Sequence, residues 1–435
     1  MTASIKATSN ELIVFAFDPS DSGDQPMGKQ RVSSITDPHG DHYTPSSGIW
    51  QTVWMEPAPA IAIHRVDFKP SADHVQITVT TSPDAPLRNP LNPTPGVAPS
   101  KYANVTIFDS EGNALASALV ATGVRSRVVV RGAQLWSPDS PVLYDVQVDL
   151  LDLNTTGGFQ GRSASFAELV AAAPVLDSIL SYTAFRTVSL GADPDKSGVT
   201  RPLLNGQVMF MSGWLDQSWW PDGQYTAPTD EALKYDLTSV TRFGLNMVRL
   251  HQKVNPQRWY MYADSLGILI LQDAVQHFGQ GDATNIQRYF YDDFKAMVHD
   301  RGSHPSIVQW EIFNEFDCEK FFDKAQALAF ARSLDDSRLI DTNSGGPPES
   351  DYFMGDVVDI HDYPDPKNPA PTPSQYAMIG EFGGLGWFHT GEEWIEGRCY
   401  TYEHAANGTA VTDRYIQMLQ TVADERDTVS SIVYT

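Results

Sequence analysis

The sequence has very little cysteine: Cys318 and Cys399 are the only two in 435 residues. That excludes a disulfide framework and a cysteine-based zinc pattern. Each thiol reads as a buried or bystander group, with a Cys318–Cys399 bridge as the alternative. Long apolar runs are missing too. The nearest, residues 164–180, is broken by Glu168, Pro174 and Asp177, so no membrane-spanning helix is expected. The N-terminus, MTASIKATSNELIVF, has no basic segment ahead of an apolar core and is no signal peptide. Basic residues are scarce, with 30 Lys and Arg against 54 Asp and Glu, for a net charge of −24. A surface of that sign repels nucleic acid and anionic membranes, and its plain reading is a solvated acidic coat. Neither GxGxxG nor GxxxxGK[ST] occurs, which removes the usual phosphate-binding loops.

What is present is globular. Apolar residues make up 41% and aromatic residues 11%, enough to fill cores, and the length asks for two or three domains. Residues 1–59 read as β, with candidates at 11–17 (ELIVFAF) and 48–56 (GIWQTVWME). Residues 60–152 hold five further strand candidates. Within them VQITV (75–79) and VQVDL (146–150) alternate apolar and polar, as half-buried strands do, which predicts a small β-sandwich. Residues 153–181, rich in Gly, Ser and Ala, read as a linker or excursion.

From 182 to 435 the pattern changes. Apolar strand-length runs alternate with helical segments, and eight such strands predict a (β/α)8 TIM barrel. A doubly wound sheet is the runner-up, but it would want a Gly-rich phosphate loop.

In such a barrel, polar side chains at the C-terminal ends of strands mark the site. Here those ends carry Arg249 and His251, Asp273, Asn314 and Glu315, Asn343, His361 with Tyr363, and Glu381. Any one of them alone reads as a salt bridge or a cap. The whole set reads as a functional cluster.

Two of them have the chemistry of bond cleavage. Glu315 ends the apolar run in SHPSIVQWEIFNEFD (303–317), and Glu381 ends another in AMIGEFGG (377–384). Glycoside hydrolysis needs two carboxyl groups flanking the scissile bond. One protonates the leaving oxygen and the other stays ionised to attack the anomeric carbon. A separation of about 5–5.5 Å gives a covalent intermediate and retention. The fourth and seventh strand ends of a barrel face each other across its mouth, so Glu315 and Glu381 are positioned to meet that requirement. Taken singly, Glu315 would be a carboxylate at a helix N-terminus and Glu381 a loop carboxylate beside Gly383 and Gly384.

The run HPSIVQWEIFNE followed by the Glu of IGEFGG resembles glycoside hydrolase family 2, the β-galactosidase, β-mannosidase and β-glucuronidase group. PMGKQ (26–30) and SSGIWQTVWMEP (46–57) are similar to the end of that family's sugar-binding jelly roll. LWSPDSPVLYDV (135–146) resembles its immunoglobulin-like domain. FRTVSL, LLNGQVMFMSG and RLHQKVNPQRWYMYADSLGILILQD resemble the early part of its barrel. The resemblance implies Glu315 as acid/base and Glu381 as nucleophile of a retaining exo-β-glycosidase. Asn314 would bind the sugar 2-hydroxyl, and Tyr363 would hold Glu381 ionised. His361, His251, Asp273 and Arg249 would be substrate or supporting groups.

Trp219 and Trp220, in the loop after the first barrel strand, would stack on a sugar or else anchor that loop. Trp387 and Trp394 are similar candidates. The partner is then an oligosaccharide or glycoside, with no cofactor and no metal demanded by the chemistry. Family glucuronidases carry an Asn-x-Lys pair, which this chain lacks. Galactose is the default sugar by analogy, with a β-mannosidase-like specificity as the alternative. A carbohydrate-binding remnant without turnover is the other alternative, because the jelly roll and the eighth barrel unit read as cut short. Sequons at Asn104, Asn154 and Asn407 point towards secretion. Nothing in the sequence speaks to oligomeric state.

Overall fold

The computed structural model describes residues 6, 8–38, 40–82, 101–152, 168, 170, 172–315, 319–346 and 354–435. The alternating segments become a sandwich. Its strands are β1 (Ala62–Pro70), β2 (His74–Ser82), β3 (Tyr102–Phe108), β4 (Ala114–Ala121), β5 (Ser126–Val129), β6 (Tyr144–Leu151) and β7 (Val175–Thr183). They form two antiparallel sheets, β1-β2-β5 and β4-β3-β6-β7. The inward residues Val75, Ile77 and Val79 share one core with Val105, Ile107, Val146 and Val148. Burying a side chain of this size stabilises by about 1.5–3 kcal/mol.

Two expectations change here. Val175–Thr183 lies in the stretch read as a linker, yet it pairs along β6. It is an edge strand with Leu180 and Val175 exposed, so its backbone ladder holds it and its side-chain pattern carries no signal. Residues 11–17 and 48–56 form no strand. Among the described residues of this N-terminal segment the only strand-like contact is the Gln30–Tyr43 bridge. An apolar alternating run without a partner ladder does not become a strand. Phe15, Phe17 and Trp54 accordingly stand exposed.

The short antiparallel sheet β8 (Val188–Ala192), β9 (Thr200–Leu204) and β10 (Gln207–Val208) follows. Leu204 of β9 joins Met211, Met247, Leu269, Val308, Leu339 and Tyr376, which sit at the beginnings of barrel strands, in one apolar cluster. The sheet thus closes the bottom of the barrel.

The barrel itself runs β11 (Met211–Asp216), α1 (Asp230–Arg242), β12 (Met247–Leu250), α2 (Gln257–Leu266), β13 (Leu269–Asp273), α3 (Ala283–Arg301) and β14 (Ile307–Asn314). It continues through α4 (Lys324–Leu334), β15 (Leu339–Ser344), β16 (Val357–His361) and β17 (Tyr376–Phe382). The short pair β18 (Leu385–Gly386) and β19 (Glu403–His404) precedes α5 (Gly408–Glu425) and β20 (Val429–Tyr434). Side chains cap four of the five helices: Thr229, Asp282, Asp323 and Asn407 each accept from a first-turn N–H, worth about 1 kcal/mol apiece. Helix α2 is the exception. Pro256 takes the cap position, and Asn255 just before it donates to Ser218 Oγ at 3.1 Å. Gly213 on β11 is required by contact, since a Cβ there would lie 1.9 Å from the Met247 carbonyl oxygen.

The eight parallel strands are ordered β15-β14-β13-β12-β11-β20-β17-β16. Among the described residues, the circle lacks a ladder between β15 and β16. There the Asp356 N–H donates to Ile340 O at 2.8 Å, and the Ile340 N–H donates to the Asp356 carboxylate at 2.7 Å. Arg186 ties the sandwich side to the barrel, donating to the carbonyls of Pro305 and Ile307 at 2.6 and 2.7 Å. Among the described residues no helix is long and apolar enough to cross a membrane. Cys399 is free and exposed; Cys318 lies outside the described residues.

Candidate active site

The apolar core of β14 forces Asn314 and Glu315 to its end at the barrel mouth. Glu315 has φ +60°, a left-handed conformation that costs a non-glycine residue about 1–2 kcal/mol. Its N–H donates to Ser344 O at 2.8 Å, which fixes the turn. Glu381 lies six residues along β17 and is buried. One carboxylate oxygen from each glutamate and a ring nitrogen of His361 all lie within 4.8 Å of one another.

His361 stands between the two acids. Its Nδ1 lies 3.0 Å from Glu315 Oε1 and 3.6 Å from Glu381 Oε1. Its Nε2 lies 2.9 Å from Ser344 Oγ, and that hydroxyl in turn donates to Asp359. Burial opposes a charge on this ring, but Glu381, Asp359 and Glu315 together outweigh it and push His361 up to about 10. The ring is therefore an imidazolium, donating from both nitrogens.

Arg249, fully buried on β12, braces the site from below. It donates to both oxygens of Asp273, at 3.1 and 2.8 Å, to Glu381 Oε1 at 3.1 Å and to Asn314 Oδ1 at 2.8 Å. That last bond turns the Asn314 amide N–H groups away from Arg249. Burial would raise the Glu381 carboxyl, but the charges of His361 and Arg249 prevail and hold it at about 2. The Tyr363 hydroxyl also donates to Glu381. His251 bonds Asp273, and burial with the nearby Lys29 charge lowers its pKa. Asp273 itself is held low: Arg249 and His251 overcome its burial.

The sequence-derived residues divide clearly. Glu315, Glu381, Asn314, His361, Tyr363, Arg249, His251 and Asp273 form one bonded cluster. Trp219 and Trp220 belong to a different arrangement. The Trp219 ring stacks on Tyr43 at 4.8 Å, and its Nε1 donates to Thr44 O at 3.2 Å. Trp220 bridges Gln224 through its backbone. Both therefore hold the N-terminal segment and their own loop. Trp394 is exposed, and Trp387 packs beside Gly408 at the start of α5.

That N-terminal segment is what sequence reasoning missed. Met27 and Gly28 donate N–H bonds to Gln276 O at 2.8 and 3.0 Å, laying the segment across the mouth. It delivers Lys29, buried and bonded to Asp41 at 2.7 Å, with its charge felt by both Glu381 and His251. The signal available was Gly28 in PMGKQ. Its φ is +59°, and a Cβ there would lie 2.6 Å from Gln252 O.

An eight-stranded parallel barrel with acids at its strand ends is a frame that many enzymes share. Residues 203–372 match the family model for "Glycosyl hydrolases family 2, TIM barrel domain". Among curated proteins it is similar to a putative beta-glucuronidase of Formosa agariphila, 25% identical over 260 residues, covering 58% of this chain and 22% of that protein. It is also similar to a beta-galactosidase of Alteromonas mediterranea, 22% identical over 338 residues, covering 72% and 28%. Among solved structures, the β-glucuronidase from Ruminococcus gnavus in complex with D-glucaro 1,5-lactone superimposes with a TM-score of 0.62 at 17% identity. It covers 86% of this chain and 62% of its own. At that identity the likeness is one of fold. The matched region spans about a quarter of each of those two curated relatives.

Proposed function

We propose that this chain is a retaining, exo-acting β-glycosidase that hydrolyses O-glycosidic bonds by double displacement. The observation that carries the reading is the pair of carboxylates, with oxygens within 4.8 Å of each other and Glu381 the more heavily wrapped, by Arg249 and Tyr363 as well as by His361. Retaining enzymes hold their two carboxyl groups about 5–5.5 Å apart. Glu315, with its side chain 43% exposed, delivers a proton to the leaving oxygen. Glu381 attacks the anomeric carbon as the glycosidic C–O bond breaks, giving a covalent glycosyl–enzyme. Glu315 then takes a proton from water, and the resulting hydroxyl displaces Glu381. Arg249, His361 and Tyr363 keep the Glu381 lone pair available by stabilising its charge. Asn314, its oxygen committed to Arg249, offers its N–H to the sugar 2-hydroxyl.

The sugar is read as galactose-like. A β-galactosidase stands among the relatives, and the Asn-x-Lys pair of family glucuronidases is absent from the sequence. The same proposal reads residues 1–59 as part of a sugar-binding jelly roll and 60–152 as an immunoglobulin-like sandwich. The two antiparallel sheets with one core support the second. The sequons extend the reading to a secreted protein.

The test is hydrolysis of nitrophenyl β-galactoside, β-mannoside and β-glucuronide, with product stereochemistry followed by NMR. Turnover with retention, abolished in Glu381→Gln, is expected. Full activity in both Glu381→Gln and Glu315→Gln would sink the assignment.

A further inference from the structure

The His361 ring is committed on both edges. Ser344 gives its one hydroxyl hydrogen to Asp359, so its oxygen is left to accept from His361 Nε2 at 2.9 Å. On the other edge Nδ1 faces a carboxylate oxygen of each acid, Glu315 Oε1 at 3.0 Å and Glu381 Oε1 at 3.6 Å. Both nitrogens therefore carry hydrogen on geometric grounds. Arg249 Nη1 lies 3.3 Å from Nε2, but its hydrogens go to Glu381 Oε1 and Gly380 O at 3.1 and 3.2 Å. The charges facing the ring are thus Glu315 from the end of β14, Glu381 from β17, Arg249 from β12 and Asp359 from β16. Asp359 Oδ2 lies 3.6 Å from Nε2.

The seat is cut to these side chains. A Cβ at Gly345 would lie 2.2 Å from His361 Cγ, and one at Gly380 would lie 2.1 Å from Asp359 Oδ2. The His361 and Asp359 side chains are 4% and 1% exposed. A ring held in this way does not flip. Its Nδ1 hydrogen still points between two oxygens, and a small tilt reverses which of them is nearer.

Double displacement moves one negative charge between those same two groups. As Glu381 bonds the anomeric carbon, the glycosidic C–O pair leaves with the oxygen, which takes the Glu315 proton. The charge has then passed from Glu381 to Glu315. In the second step Glu315 takes a proton from water, and the hydroxyl oxygen bonds the carbon. The ester C–O pair returns to Glu381, and the charge with it. The His361 hydrogen is transferred in neither step.

We propose that His361 gives its single Nδ1 hydrogen alternately to Glu381 and Glu315 as charge passes between them, with Asp359, acting through Ser344, as the positioning residue that keeps the ring cationic throughout. This rests on the double-displacement reading for its timing.

Glutamine at either acid copies one of the two charge states. Glu381→Gln stands for the neutral ester and Glu315→Gln for the protonated acid. Proton NMR of the Nδ1 hydrogen reads its partner, since a carboxylate makes the shorter, stronger bond and draws the signal further downfield than an amide oxygen does. A downfield signal is expected in the parent and in both single variants, moved upfield in Glu315→Gln/Glu381→Gln. A signal lost in one single variant alone fixes the donor on that acid and overturns the alternation, as does a signal unmoved in the double variant. Asp359→Asn lowers the pH at which the ring titrates by about one unit or more. An unchanged midpoint overturns the role of Asp359.

Turnover gives a second readout, in His361→Gln at matched melting temperature. The acid limb of kcat/KM reports Glu381 in the free enzyme. The acid limb of deglycosylation, made rate-limiting with a dinitrophenyl glycoside, reports Glu315 in the intermediate. Both limbs move to higher pH by about one unit, because each acid loses the same cationic donor. Movement of one limb only, or of neither, overturns the sharing. The NMR signals need no turnover, so a chain that cleaves nothing but keeps the downfield signal in both single variants removes the glycosidase reading and leaves the shared donor standing.

Discussion

Glu381 and His361 depend on one another for charge, and that dependence sets a pH profile. Glu381 falls from 4.5 to about 2 on folding. Its contribution to stability is present above 4.5 and is lost as pH falls through 2. His361 rises from 6.5 to about 10, so its contribution is full below 6.5 and disappears as pH climbs through 10. Glu311, buried on β14, behaves in the same sense as His361. Burial and then Asp273 raise it from 4.5 to about 7. The folded chain keeps that proton longer than the unfolded chain, and stability falls across this window. Melting temperature is therefore expected to peak in mild acid and decline towards pH 10. Glu311→Gln flattens the decline between 4.5 and 7, which differential scanning calorimetry at stepped pH would reveal. A parallel decline in parent and variant would contradict it.

The catalytic roles make their own demand at this scale. Removing a general acid costs about 10²–10⁴-fold. Glu315→Gln should lose that much on alkyl glycosides and less on nitrophenyl glycosides, whose leaving group needs little protonation. Equal losses on both would remove Glu315 from the acid role.

At the level of elements, the most informative piece is the N-terminal segment, whose one regular turn is the 3-10 helix Val32–Ile35. Residues 24–46 lie across the mouth through Gly28, and no helix or strand period announces them. Gly28→Ala sets a Cβ against Gln252 O at a positive φ, costing about 1–3 kcal/mol of local stability. The expected outcome is faster proteolytic cleavage within 24–46 and a fall in kcat/KM as Lys29 withdraws from Glu381, with the barrel's melting temperature little changed. If cleavage and activity both match the parent, the segment is no part of the site.

This is also where legibility from sequence ends. β13, β14 and β17 are rich in apolar residues and carry polar ones at or near their C-terminal ends, so the barrel and its acids were readable. β7 was not, because its exposed Leu180 and Val175 break the half-buried pattern and only pairing with β6 holds it. Residues 11–17 and 48–56 failed in the opposite direction, since alternation in sequence says nothing about whether a neighbour exists. Trp219 stayed open between two readings because an indole next to a strand end looks the same whether it meets a sugar or Tyr43.

Across the whole molecule, the sandwich and barrel are joined by buried polar contacts. Arg186 caps two carbonyls at the start of the Glu315 strand, and the Trp136 indole donates to Asp264 O at 2.8 Å. Arg186→Met leaves both carbonyls without that donor, at a cost of about 3 kcal/mol. The single calorimetric transition expected of the parent should then separate into two. A variant that still unfolds in one step would show that the apolar contacts alone couple the units.

The two proposed catalytic carboxylates are mounted on opposite banks of the one interval without a backbone ladder. Glu315 follows β14, which pairs with β15, and Glu381 sits on β17, which pairs with β16. The banks are bridged near the mouth by Ser344, Asp359 and His361 side chains. Across this interval the spacing of the acids answers to a few hydroxyl and imidazole contacts, while the ladder running from β14 round to β17 holds it from the other side. Stereochemical outcome follows that distance, so losing the Ser344 hydroxyl or the His361 ring widens the gauge towards one that admits a water where a covalent bond would otherwise form.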